Sequence, residues 1–282
     1  MPGGREWLER LPRLVEECAD QWSLRVGRPF EPAHVSLVVR VEHDEAPAVL
    51  KLNFPEPESE READALAFWN GRGAVRLLAH DEERRALLLE RSEPGEQLWS
   101  VAEDEANAMG ADVLRRLWRP IPREHGYRLL ADEAERWAVE LPRDWEHLGR
   151  PFERRLLEAA VAVCRELGPA QGELVVCHQD FHGRNVLQAT REPWLAIDPK
   201  PVAGEREFDA ASLLRDRRWE LGRPDDRHRL RRRLDLLVDE LALDRERTLR
   251  WAFAHALAWG VSAKKLERDM IHCARVLAAL AS

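Results

Sequence analysis

Between Leu174 and Lys200 the chain reads LVVCHQDFHGRNVLQATREPWLAIDPK, and this stretch limits the possible folds more than any other. Leu174-Val175-Val176-Cys177 is a short apolar run with the β-branched content of a buried strand. A polar loop follows. Asn185-Val186-Leu187-Gln188 and Trp194-Leu195-Ala196-Ile197 then flank Thr190-Arg191-Glu192-Pro193, which has the polar, Pro-terminated composition of a hairpin turn. Asp180 and Asn185 share the loop, and Asp198 ends the returning strand. Two carboxylates and an amide can therefore converge on one metal-phosphate group. Mg²⁺ suits such hard oxygen ligands, since it usually takes one or two carboxylates together with phosphate oxygens and water. This is the arrangement a phosphoryl-transfer enzyme needs.

Phosphoryl transfer from ATP depends on positioning and charge neutralisation more than on covalent help from the protein. Asp180 can accept or orient the proton of an acceptor hydroxyl, Asn185 can bind metal through its amide oxygen, and Asp198 can bridge the metal to the phosphates. Asp and Asn side chains that merely cap turns are the plainer reading of Asp180 and Asn185, and Asp198 on the next strand weighs against it. Lys51 adds an independent piece. The chain carries 44 basic residues, of which only Lys51, Lys200, Lys264 and Lys265 are lysines, so a lysine inside the apolar strand Val49-Leu50-Lys51-Leu52 is hard to dismiss as accident. Its ammonium can reach the α- and β-phosphates provided a carboxylate holds it. Glu62 is the preferred partner, with Glu60 and Glu58 as fallbacks. Taken alone, Lys51 reads slightly better as an edge-strand lysine pointing to solvent, and the combination with Asp180, Asn185 and Asp198 favours the functional role.

The rest of the chain divides in two. Leu8, Leu11, Val15, Cys18 and Trp22 predict an opening amphipathic helix. β-like runs follow at Val35–Val41 and Ala48–Leu52, then a helical stretch from Glu58 to Gly71, then strands at Val75–Leu78 and Leu87–Glu90. Beyond Trp99 the pattern is helical around Met109–Leu117, Phe152–Leu167, Phe208–Leu214, Leu230–Leu241, Asp244–Gly260 and Met270–Leu280, with Asp244 as an N-cap. The expected architecture is α+β: a small strand-rich N-terminal lobe over residues 1–91 and a larger, mostly helical lobe over 92–282. The hinge is expected near Glu90–Gly95.

A chain of 282 residues that is 44% hydrophobic can bury a large core, and most of its eleven tryptophans are expected in that core. The net charge of −8 argues against non-specific nucleic-acid binding and is compatible with a cationic substrate. Cys18, Cys164, Cys177 and Cys273 show no paired spacing and read as reduced thiols. The N-terminal residues lack the apolar core of a signal peptide, and no run approaches the ~20 apolar residues of a membrane span. A cytoplasmic protein is expected. Cys177, His178 and His182 have the composition of zinc ligands, but adjacent strand residues point to opposite faces and no second ligand cluster appears. The arginine run Arg227–Arg233 reads as a solvated helix face.

HQDFHGRN resembles the His-Gly-Asp-x-His-x-x-Asn loop of the aminoglycoside phosphotransferase family, and AIDPK resembles its metal-binding Ile-Asp strand. FWNGRGAVRLL, LLLERSEPG, WLAIDPK and GEREFDAASLL narrow the resemblance to the aminoglycoside/hydroxyurea kinase branch, which includes streptomycin 6-phosphotransferases. The resemblance runs from about Ser36 to Leu214. It implies the two-lobed protein-kinase-like fold, with a small antiparallel-sheet N-lobe and a larger helical C-lobe, and an ATP- and Mg²⁺-dependent O-phosphotransferase. By the same resemblance Asp180 is the catalytic base, Asn185 and Asp198 are Mg²⁺ ligands, and Lys51 with Glu62 positions the phosphates. The backbone from Glu90 to Ser92 would meet adenine, and Ser36 would contact phosphate where a Gly-rich loop is missing. Gln179 departs from the family's usual Gly. Lys200 reads either as a phosphate or substrate contact or as a surface salt bridge.

An acceptor such as streptomycin is expected to meet His182, Glu205, Asp209, Glu207 and the acidic-aromatic segment Asp132–Trp145, through carboxylates paired with its guanidinium or ammonium groups. Glu205 and Asp209 equally suit supports of the metal loop. Hydroxyurea, another antibiotic or a metabolite remains open as acceptor. A nucleotide-binding pseudokinase and a metal-dependent hydrolase are the readings from other classes.

Overall fold

The computed structural model describes residues 3–30, 35–222, 224–263 and 265–281. The chain forms two compact units: Met1–Glu96 with Leu187–Lys200, and Gln97–Val186 with Pro201–Ser282. These units differ from the expected division at residue 91 in two ways. The first unit continues to Glu96, and it also takes back the hairpin that carries Asp198.

In the first unit, α1 (Gly4–Gln21) is followed by β1 (Arg25–Pro29), β2 (Ser36–His43), β3 (Ala46–Asn53), α2 (Glu62–Trp69), β4 (Leu77–Asp81), β5 (Ala86–Glu90) and β6 (Pro94–Gln97). Five strands form an antiparallel sheet in the order β1-β2-β3-β5-β4. Leu11, Leu14 and Cys18 recur at helical spacing on α1 and pack on one sheet face with Val39, Val41, Leu50, Leu52 and Leu88. Strand alternation then sets the direction of Lys51. With Leu50 and Leu52 facing α1, Lys51 points to the opposite face. There α2 buries Glu62, Ala65, Leu66 and Trp69, positions 0, 3, 4 and 7 of one helical stripe. The first of these is a carboxylate.

Two strand readings shift. The run expected at Val75–Leu78 forms β4 over Leu77–Asp81, where the Asp81 carboxylate accepts from the Arg84 backbone at 2.9 Å and closes the turn into β5. β1 has no counterpart in the sequence reading. All five of its residues are exposed, so it carries no burial periodicity and is held as an edge by its pairing with β2.

The second unit contains α3 (Glu103–Leu117), β7 (Arg128–Leu129), α4 (Leu130–His147), α5 (Arg154–Leu167) and β8 (Val175–Cys177). The chain then returns to the first unit for the hairpin β9 (Val186–Ala189) and β10 (Trp194–Ala196), which joins β6 in a three-stranded sheet. It re-enters the second unit through β11 (Val202–Gly204), α6 (Arg206–Asp209), α7 (Ala211–Leu214), α8 (Asp226–Leu241), α9 (Arg245–Gly260), the short pair β12 (Val261–Ser262) and β13 (Lys265–Leu266), and α10 (Arg268–Leu280). β8 pairs antiparallel with β11, Cys177 opposite Val202, so the loop after Cys177 starts from a fully buried strand.

Trp251, Phe208 and Trp137 form an aromatic core, with Phe208 edge-on to Trp251 at 5.4 Å. All four cysteines are buried and unpaired. Among the described residues no helix is long and apolar enough to cross a membrane.

Asp244 caps α9 as expected, its carboxylate accepting from the Arg247 backbone N–H at 2.9 Å. Asp244→Ala should cost about 1 kcal/mol. A lowered urea midpoint, largely restored by Asp244→Ser, is the expected result.

Candidate active site

In the first unit everything meets at Lys51. Its Nζ donates to both oxygens of Glu62 at 2.6 and 2.7 Å and to Asp198 Oδ1 at 2.5 Å. Glu62, not the fallback Glu58 or Glu60, is the partner, and its second oxygen also accepts from Asn53 Nδ2 at 2.8 Å. Lys51 is only 5% exposed. Burial alone would favour the neutral amine, but the Asp198 and Glu62 carboxylates outweigh it and hold the pKa above the ordinary lysine value. Lys51 therefore stays charged.

Asp198 sits in the left-handed region, φ 57°, just past β10. The hairpin behind it is pinned by Arg191, which donates to Glu90, to Gly71 O at 2.6 Å and to Ala74 O at 3.1 Å. Ala74 bridges to Ala196, and Gly73 N–H donates to Glu192 at 3.2 Å. The Glu90 side chain is thus committed to anchoring, receiving Arg191 and the Arg76 backbone at the end of β5. Ser36 opens β2 opposite Asn53, and the Ser92 hydroxyl is buried without a hydrogen-bond partner among the described residues.

In the second unit the loop from His178 to Asn185 is held from beneath. Gln179 adopts φ 66°, the left-handed region where glycine is the easier residue. Three contacts hold it there. Its N–H donates to Asp209 Oδ1 at 2.8 Å, its C=O accepts the Ser212 hydroxyl, and its side chain accepts from Arg128 at 3.2 Å. Asp180 comes next, its carboxylate 3.5 Å from His182 Nε2 and 3.5 Å from Arg215 Nη2. Burial opposes its charge, yet His182, Arg215 and His178 overcome it and hold the carboxyl well below the usual range. A carboxylate so stabilised is a weak proton sink. It is suited to accept a hydroxyl's hydrogen bond and fix its direction. Asn185 Nδ2 donates to the Asp180 carbonyl at 3.0 Å, which fixes the amide's orientation.

The far side of the loop rests on Asp216. This carboxylate accepts from Gly183 N–H at 2.8 Å and from Trp99 Nε1 at 2.8 Å. Trp99 in turn stacks on His182, ring centroids 5.9 Å apart, and lies under the Arg184 guanidinium. Arg215 Nε donates to His255 Nδ1 at 3.0 Å. Burial, followed by Arg215 itself, drives the His255 pKa well below normal, so the imidazole remains a neutral acceptor.

Two expectations about acceptor contacts are corrected. Glu205 is 2% exposed and turned inward, accepting from Arg247 at 2.7 Å, Gly172 N–H at 3.1 Å and Trp251. Asp209 is fully buried, receives Trp118 at 2.8 Å as well as Gln179, and has its pKa pushed up to about 6 by burial. Asp209 holds the loop through Gln179, whereas the Glu205 carboxylate ties together Arg247, Gly172 and Trp251 away from it. The segment Asp132–Trp145 forms most of α4, whose Ala134, Trp137, Ala138, Leu141 and Trp145 are buried. Its Glu133 is buried too and pairs with Arg128 and Arg136. Asp216, Trp99, Arg215, Arg128 and Arg191 have no counterpart in the sequence reading, because each works through a partner far away along the chain.

Residues 21–269 match the model of the aminoglycoside/hydroxyurea antibiotic resistance kinase family. The chain belongs to that family. It is 41% identical to a streptomycin 6-kinase of Streptomyces glaucescens over 259 residues, covering 90% of this chain and 83% of the relative. It is 38% identical to a hydroxyurea phosphotransferase of Kitasatospora aureofaciens over 260 residues, covering 90% and 73%. Among solved structures it is similar to the choline kinase LicA of Streptococcus pneumoniae, with TM-score 0.67 at 11% identity, covering 96% of this chain and 99% of that one. LicA has also been solved with AMP. The family assignment makes this chain a phosphotransferase with a hydroxyl acceptor, and the kinase neighbours confirm its α+β, protein-kinase-like fold.

A Cβ at Gly183 would fall 2.2 Å from Trp99 Cδ1 and 3.1 Å from Asp216 Oδ2. Gly183→Ala should therefore destabilise the protein by about 1–3 kcal/mol. In a Trp99→Ala background the same change should cost much less, a coupling that a denaturation double-mutant cycle measures directly.

Proposed function

We propose that this kinase transfers the terminal phosphate of ATP to a hydroxyl of a small cationic antibiotic, with an aminoglycoside such as streptomycin as the leading acceptor. The observation that carries the reading is the 41% identity to a streptomycin 6-kinase along nine-tenths of the chain. The site chemistry supports it. Asp180 orients the attacking hydroxyl and takes its hydrogen bond, while Arg215 and His182 keep the carboxylate ionised. Lys51, locked by Glu62, contacts the nucleotide phosphates, and Ser36 and the backbone from Glu90 to Ser92 serve the nucleotide as well.

Asn185 and Asp198 offer the hard oxygen donors that Mg²⁺ prefers, and the metal needs only one or two such protein ligands when phosphates and water complete its shell. Two observations support this role for Asp198: its side chain is 34% exposed, and it lies within salt-bridge distance of two ammonium groups. Bound Mg²⁺ would neutralise phosphate charge. His182 stays in the reading as an acceptor contact, its ring held flat on Trp99. We place the enzyme in the cytoplasm, where ATP is available and where buried, unpaired thiols such as its four cysteines persist.

Hydroxyurea is the second reading, favoured by the 38% identity to a hydroxyurea phosphotransferase. Mg²⁺-dependent ADP release, measured with streptomycin, a 2-deoxystreptamine aminoglycoside and hydroxyurea side by side and followed by mass spectrometry, separates them. A phosphate adduct on streptomycin is expected. Adduct on hydroxyurea alone would move the assignment to the second reading. Asp180→Asn should lower turnover by about a hundredfold or more while nucleotide affinity stays within about threefold. Near wild-type turnover would remove Asp180 from catalysis.

A further inference from the structure

Lys200 lies two residues beyond Asp198 and is only 7% exposed. Its Nζ is 3.6 Å from Asp198 Oδ1, the same oxygen that receives Lys51, and 3.6 Å from Glu56 Oε1. Two lysines therefore flank one carboxylate oxygen, each with a glutamate of its own: Glu62 for Lys51 and Glu56 for Lys200. The two pairs differ in tightness. Lys51 makes contacts of 2.5–2.7 Å, as a settled buried ion pair does, whereas Lys200 stands off from both of its carboxylates. A buried ammonium with only long contacts is under-compensated, and it has free energy to gain from a further anion.

The backbone presents this second pair rigidly. Glu56 lies between Pro55 and Pro57, and Lys200 between Pro199 and Pro201. Proline fixes its own φ and restricts the residue before it, so the backbone at both positions is restricted before any ligand arrives. The residue type points the same way. A chain whose 44 basic residues include only four lysines has two of the four at Asp198. A compact ammonium can share one oxygen with a neighbouring ammonium, where the broad guanidinium of arginine would be crowded. Were Asp198 to ligate a metal ion, both lysines would lose its shared oxygen, and the phosphates of the nucleotide would be the anions able to replace it.

Resting on the phosphotransferase reading above, we infer that Lys200, steadied by Glu56, is a second phosphate-binding lysine, and that it contacts the terminal phosphate of ATP beyond the phosphates served by Lys51. This makes Lys200 a catalytic residue that distinguishes ATP from ADP, not a surface salt bridge.

The test is calorimetric titration, with Mg²⁺ and without acceptor, of wild type and Lys200→Met with ADP and with a non-hydrolysable ATP analogue. The variant should lose about tenfold or more of its affinity for the analogue while its ADP affinity stays within about twofold. Equal losses for the two nucleotides would assign Lys200 a merely structural role, and no loss for either would remove it from the site; both results overturn the inference. Should Lys200→Met not fold, Lys200→Gln, neutral and of similar length, is read in the same way. If wild type binds neither nucleotide, the phosphotransferase reading itself fails, which is a different result from a variant that has lost its discrimination.

Discussion

The first unit is organised around one buried ammonium. Lys51 cannot stay charged at 5% exposure unless carboxylates surround it, and the fold delivers two from different parts of the chain. Glu62 comes from the core-facing stripe of α2, and Asp198 comes from the end of a hairpin almost 150 residues further on. Removing Glu62, the fully buried partner, would leave Lys51 with only the part-exposed Asp198, a loss of up to about 3–5 kcal/mol by comparison with broken buried pairs. Removing Asp198 would cost less because solvent screens it. The same contact explains why Leu187–Lys200 packs with the first unit although it comes directly after Asp180 and Asn185 in sequence. Arg191 on Glu90 and on the Gly71 and Ala74 carbonyls secures the other end of that hairpin.

The second unit answers a different problem, that of holding a loop in a conformation its sequence does not favour. Gln179 occupies a left-handed conformation with a full side chain, a cost of order 1 kcal/mol or more for a non-glycine residue. Asp209, Ser212 and Arg128 bind its N–H, C=O and side chain and offset that cost. Asp216 anchors the Gly183 N–H while orienting Trp99, on which His182 rests. Asp180, the proposed catalytic carboxylate, is thus bracketed by two supported residues, and Arg215 and His182 favour its charge. Of the two carboxylates that looked from sequence like an acceptor surface, Asp209 is spent on this support and Glu205 on Arg247, Gly172 and Trp251.

Much of this is legible in the sequence, and the division has a physical cause. Local signals carried the helices other than α4, the β8 strand, the β9–β10 hairpin and the Asp244 cap, because periodicity and capping act within a few residues. The Lys51–Glu62 pair was legible for the same reason: a lone lysine in an apolar strand needs a carboxylate, and the following helix supplies one. The edge strand β1 was hidden because it buries nothing. Arg191, Arg215, Asp216 and Trp99 were hidden because their partners lie 33 to 120 residues away, a separation no local pattern encodes. The return of the Asp198 hairpin to the first unit was invisible for that reason too.

On the proposed function, the Lys51–Asp198 pair is the contact that bound nucleotide and metal would reorganise before phosphate transfer. A crystal structure with Mg²⁺ and a non-hydrolysable ATP analogue tests this most directly. The prediction is that Asp198 ligates the metal and releases Lys51, while Lys51 keeps Glu62 and turns to phosphate. An intact Lys51–Asp198 pair, with the nucleotide bound and the metal held by other residues, would contradict it.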